Sequence, residues 1–142
     1  MELESESSPR TETGGVIVGR GEWLDSEVSI TGVSGPGPRA VRTRYSFQRD
    51  IKHCQDYLNR IARESSGLLD YLGEWHKHHE TDPWPSGQDL TTLATIALDP
   101  NYHVSVPILI IIGSSNNRSS LRAFSVDSLR NVQLLNWSIK GV

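Results

Sequence analysis

The stretch WHKHHETDPWPSGQD, residues 75–89, holds three of the chain's five histidines together with a serine and an aspartate. In a β-strand, residues i and i+2 share a face, so His76 and His78 would present their imidazoles side by side while Trp75 and Lys77 face away. Such a pair can share one metal ion at about 2.0–2.1 Å per bond. A third ligand must come from elsewhere, and Asp89 suits the role. If Ser86 opens a helix, Asp89 lies in its first turn, where a carboxylate is favoured. Three protein ligands leave a fourth position for water, the pattern of a catalytic rather than a structural zinc site. The same residues have a plainer reading. Ser86 and Asp89 also spell a capping box, and a lone H-x-H is more often two surface histidines than a metal site. Glu74 shares the strand face of His76 and His78, where a solvated or supporting carboxylate is expected ahead of a base.

The elements that must position these residues can be read from hydrophobic periodicity. GGVIVG (14–19) is a short apolar run between glycines, expected as a buried strand. WLDSEVSITGV (23–33) and VRTRYSF (41–47) alternate as second and third strands, separated by a rigid GPGP loop at 35–38. The period then changes. Ile51, Cys54, Leu58 and Ile61 recur at three- and four-residue steps, predicting an amphipathic helix that ends near Gly67. LLDYLGEWHKH (68–78) reads as a strand and Ser86 to Leu98 as a second helix, stopped by Asp99-Pro100. VSVPILIIIG (104–113) is expected as the most buried strand with SSNNRSS as its turn, and LRAFSV and VQLLNWSI as one or two closing strands. The expected fold class is therefore α/β (α+β), a mixed sheet flanked by two main helices. Residues 1–11, acidic and serine-rich, are expected to be a flexible arm, and 12–142 a single domain.

Composition removes several function classes. At 142 residues the chain suits one core. A formal charge of −3 and the lack of a basic stripe interleaved with aromatics argue against nucleic-acid binding. The longest apolar run, Val106 to Ile112, is interrupted by Pro107 and too short to span a bilayer, and no signal-peptide pattern opens the chain. The lone Cys54 falls in the apolar pattern of a helix, which favours a small core residue over a nucleophile and suits a cytoplasmic setting. Nucleoside deaminases need H-x-E and P-C-x-x-C, which one cysteine excludes. H-E-x-x-H, G-x-S-x-G and phosphate loops are also missing.

H76-x-H78-x7-S86-x2-D89, with E12-T-G-G upstream, resembles the JAMM motif of JAB/MPN metalloproteases. The likeness covers roughly residues 12–140 and includes the order of strands and helices. It implies a JAB/MPN domain of cytidine-deaminase-like architecture that carries one Zn2+ per chain on His76, His78 and Asp89. It also implies Glu12 as the general base and Ser86 as the donor that steadies the oxyanion. ETGGVIVGR, ITGVSGPGPRA, FQRD and GEWHKH together resemble the small bacterial deubiquitinase-like JAB proteases of CBASS anti-phage operons. That likeness implies an isopeptidase acting after the C-terminal tail of a ubiquitin-like protein or a cGAS-like nucleotidyltransferase. Partners would be E1/E2-like proteins of the same operon. The alternatives are an inactive MPN scaffold and a peptidase that processes a sulphur-carrier protein. Two departures stand out. His79 takes the place of the family's usual proline and is a candidate to compete as a ligand. Only eleven mostly polar residues precede Glu12 where a strand and helix are usual, so the start is either truncated or that flank is covered differently, for example by a second copy in a homodimer.

Overall fold

The computed structural model describes residues 11–21, 27–44, 47–80 and 83–140. A six-stranded sheet runs in the order β2-β1-β5-β6-β7-β8, built from β1 (Thr13–Arg20), β2 (Ser29–Val33), β5 (Asp70–His78), β6 (Ile108–Ser115), β7 (Arg118–Val126) and β8 (Val132–Leu135). β5 and β6 are parallel and every other pair is antiparallel. The parallel step needs a crossover, which α2 (Gly87–Leu98) supplies. A separate hairpin of β3 (Val41–Arg42) and β4 (Phe47–Gln48) precedes α1 (Ile51–Glu64). The mixed sheet and two main helices are those expected from the sequence.

Leu109, Ile111, Phe124 and Val126 on one sheet face pack against Leu93 of α2, and Val16 and Tyr71 pack against Cys54 of α1 and Ile96 of α2. Ile17, Leu72, Trp75, Ile108, Ile110 and Ile112 build the core of the other face. Each of the larger of these side chains contributes about 1.5–3 kcal/mol by leaving water. Cys54 is buried, and that burial pushes its thiol up, as suits a core residue.

One irregularity decides which way the site points. In the β1–β5 ladder Ile17 pairs Gly73 and Val18 pairs Tyr71, so Leu72 is an extra residue. The bulge places Tyr71, Glu74, His76 and His78 on the helix-covered face, and Leu72, Trp75 and Lys77 on the opposite one. Gly73 makes this feasible. Its φ is +155°, and a Cβ there would strike the Ile108 carbonyl of β6.

Six expectations are corrected. The strand expected over 23–33 begins at Ser29 among the described residues, with 22–26 outside them. The strand expected over 41–47 is two short arms of a hairpin, with 45–46 outside the described residues. Val41 is 56% exposed, so that alternation had no core to bury. Ile51 is 74% exposed at the helix start, leaving Cys54, Tyr57 and Leu58 to face the core. The turn in SSNNRSS shrinks to Asn116-Asn117, both at positive φ, because the flanking serines pair across the hairpin. β6 starts after Pro107, which cannot donate to a ladder, and β8 ends at Leu135, short of the residues expected to follow. The arm expected over 1–11 lies, apart from Thr11, outside the described residues. No helix of the described residues is long and apolar enough to cross a membrane.

Candidate metal centre

β5 brings His76 and His78 to its C-terminal end, and α2 begins just beyond it. Ser86 is the N-cap of α2: its Oγ accepts from the Asp89 N–H at 3.1 Å, and its own N–H donates to Asp89 Oδ2 at 2.9 Å. This capping box holds the Asp89 carboxylate against both histidines. His76 Nδ1 lies 2.9 Å from Oδ1, and His78 Nε2 lies 3.3 Å from Oδ2. One potential ligand atom from each of His76, His78 and Asp89 lies within 4.8 Å of the others.

The donor set fits zinc. Tetrahedral geometry with bonds of this kind puts ligand atoms about 3.4 Å apart, near the 2.9 and 3.3 Å that separate Asp89 from the two histidines. Two neutral imidazoles and one carboxylate are a common N/N/O set for the ion. His78 and Asp89 are buried and the His76 side chain is 14% exposed.

The electrostatics are those of a compact charged cluster. Burial would raise the Asp89 pKa, but hydrogen bonds from His76, His78 and the Ser86 backbone hold it well below the usual carboxylate range. Burial would lower His78, yet the Asp89 carboxylate beside it, with Glu12, lifts it above the usual imidazole value.

Glu12 stands one residue before β1. Its N–H donates to the Thr43 carbonyl at 2.7 Å, and the Thr13–Lys77 pairing continued by one step sets it opposite His78. Burial pushes its carboxyl up from the ordinary value, opposed by His78 and His76 and reinforced by the negative charge of Asp89. The half-buried Glu12 therefore feels all three members of the cluster. Ser86 remains able to donate its hydroxyl proton while accepting the cap bond, since a hydroxyl does both.

His79, the competing histidine, stands outside the cluster. Its Nε2 is buried without a hydrogen-bond partner, and burial together with Lys77 and Arg44 keeps its pKa low. Glu74 points at the site: its Oε2 lies 3.1 Å from His76 Nε2, and its other oxygen is ion-paired with Arg49. Phe47 of β4 sets its ring edge-on to His76, with centroids 5.9 Å apart. Arg49 and Phe47 were not anticipated at the site: Phe47 falls at the end of the alternating stretch 41–47 with nothing to link it to the histidines, and Arg49 carries no periodic signal. The available clue was their position in FQRD, just ahead of the Asp50 cap of α1. Trp84, half exposed in the segment before α2, meets Phe124 edge-on at 5.0 Å.

A family model described as prokaryotic homologues of the JAB domain matches residues 3–127. A protein of Escherichia coli named CD-NTase/cGAS isopeptidase is 36% identical over 105 residues, covering 72% of this chain and 62% of its own length. A probable metalloprotease of Sinorhizobium fredii is 35% identical over 103 residues, covering 71% of this chain and 62% of its own length. The chain thus spans less than two thirds of the length of either relative. In fold, a Desulfitobacterium hafniense protein solved in solution superposes with a TM-score of 0.62 at 19% identity, over 94% of this chain and 83% of the other. The chain belongs to the family of prokaryotic homologues of the JAB domain.

Proposed function

We propose that the chain is a zinc-dependent isopeptidase of the JAMM type. It cleaves after the C-terminal tail of a ubiquitin-like or cGAS-like protein conjugate in a bacterial anti-phage pathway. The observation that carries this reading is the buried His76–His78–Asp89 cluster with the Glu12 carboxyl beside it. Similarity to proteins named CD-NTase/cGAS isopeptidase supports the class of bond and partner.

The chemistry supplied by a bound zinc is Lewis acidity, which polarises the scissile carbonyl and acidifies water. His76, His78 and Asp89 hold the ion. Glu12 takes the proton of the attacking water and later delivers it to the leaving amine nitrogen; its raised pKa brings it closer to the neutral range where a general base works best. Ser86 donates its hydroxyl to the carbonyl oxygen as that atom gains charge. The β3–β4 hairpin ends beside His76 through Phe47, so an extended tail could add a strand there and reach the cluster. The E1/E2-like proteins that attach such tails are the expected partners.

The test is a fusion. A cGAS-like enzyme or ubiquitin-like partner is joined through its C-terminus to a fluorescent protein and incubated with the wild type. Cleavage at the junction that chelator and Glu12→Gln both abolish is the expected result. Equal cleavage of unstructured peptides would reduce the reading to a generic metallopeptidase. No cleavage with zinc bound would favour an inactive scaffold.

A further inference from the structure

The Glu74 side chain is only 4% exposed and is held from two directions. Oε1 is ion-paired with Arg49, and Oε2 faces His76 Nε2 at 3.1 Å. Arg49 is itself fixed. Its Nη2 donates to the Tyr102 hydroxyl at 3.1 Å, and the Tyr102 ring packs on Tyr71 with centroids 5.0 Å apart. The next residue, Asp50, caps α1 and donates its N–H to the Pro36 carbonyl at 2.9 Å. Arg49 and its neighbour are thus anchored to two further segments, and the carboxylate that Arg49 pairs with touches one candidate ligand.

Both His76 ring nitrogens face carboxylate oxygens, Nε2 towards Glu74 and Nδ1 towards Asp89, and a bound ion would take the nitrogen on the Asp89 side, leaving the proton on Nε2 for Glu74 to accept. A neutral imidazole has one protonated nitrogen and one lone pair. With the proton on Nε2, the lone pair falls on Nδ1, which is the nitrogen turned towards Asp89. Phe47 packs edge-on against the ring from another side. Metal-binding histidines recurrently donate their other N–H to a carboxylate in this way, and loss of that partner weakens metal binding about 10–100-fold. Arg49 supplies the countercharge that a buried carboxylate requires.

We propose that Glu74, locked by Arg49, is a positioning residue that fixes His76 as the Nε2–H tautomer and aims Nδ1 into the cluster. The inference rests on reading His76, His78 and Asp89 as a metal site, and it assigns Glu74 no part in moving protons during the reaction.

The experiment measures zinc affinity by competition with a chromogenic chelator for wild type, Glu74→Gln and the double variant Arg49→Leu/Glu74→Leu. The double variant removes both charges at once and so leaves neither partner as an orphaned buried charge. Both variants are expected to bind zinc about 10–100-fold more weakly. Long-range 1H–15N correlation spectra of the zinc-loaded wild type should show His76 protonated at Nε2 and ligating through Nδ1, and the double variant should lose that preference. Wild-type affinity in both folded variants would overturn the positioning role while leaving the metal site intact, as would an Nδ1–H tautomer in the wild type. A wild type with no affinity for zinc would refute the metal-site reading and this proposal with it.

Discussion

Ser86 is asked to do two things, and substituting it in two ways separates them. In the structure its Oγ accepts one hydrogen bond, from the Asp89 N–H at 3.1 Å, while the reciprocal bond from its backbone N–H to Asp89 survives any side-chain change. Ser86→Ala should therefore lose half of the capping box, costing about 1 kcal/mol. For a chain of 142 residues that corresponds to a melting temperature lower by roughly 3–4 °C. Ser86→Gly removes the same hydroxyl, but glycine is a tolerable N-cap and should cost only a few tenths of a kcal/mol. If Ser86 also donates to the oxyanion, both variants lose about 10²–10³ in turnover despite their different stabilities. The assay pairs thermal unfolding with cleavage of the fusion substrate at equal zinc content. Turnover that follows stability, with Ser86→Gly nearly fully active, would refute the oxyanion role and leave the serine as a cap alone.

Glu12→Gln should retain zinc and lose about 10²–10⁴ in rate, the usual worth of a general base; loss of zinc in elemental analysis would instead make Glu12 a ligand. Asp50 accepts backbone bonds from His53 and Arg39 that, against a smaller effect of burial, hold its carboxyl below the ordinary 3.8. Because its folded pKa is depressed, its stabilisation is present above 3.8 and is lost as pH falls through the lower folded value. Asp50→Ala should thus melt lower than wild type at pH 7, with the gap narrowing below pH 3.8; a gap constant down to pH 2 would contradict this. Gly73→Ala should cost about 2–3 kcal/mol, since it places a Cβ against β6 at a backbone angle that L-residues avoid. An unchanged melting temperature would show that the bulge does not need glycine.

What the sequence made legible was short-range. The two-residue period of β5 put His76 and His78 on one face, and the S-x-x-D spacing marked the start of α2 and the position of Asp89; both are local rules that need no tertiary knowledge. Glu12 is a different case. It reaches the cluster only because β1 pairs with a strand more than fifty residues later, and the resemblance, not periodicity, singled it out. The Leu72–Gly73 bulge leaves only weak local cues, the adjacent apolar pair Tyr71-Leu72 and an isolated glycine inside a strand; the contact with Ile108 shows why glycine stands there. Arg49 was beyond reach: a cation between a strand and a helix cap is ordinary until its partner, Glu74, is seen buried beside it. The hairpin of β3 and β4 was misread as one strand because Val41, Thr43 and Tyr45 alternate with polar residues, although nothing covers Val41.

The central claim is that His76, His78 and Asp89 hold a metal, and elemental analysis of the purified protein tests it most directly. Wild type prepared without chelators should carry about one zinc per chain. His76→Ala should carry almost none, and His79→Ala should match the wild type, since His79 stands outside the cluster. A metal-free wild type that takes up no zinc on addition, or an ion lost with His79 and kept without His76, would contradict the account.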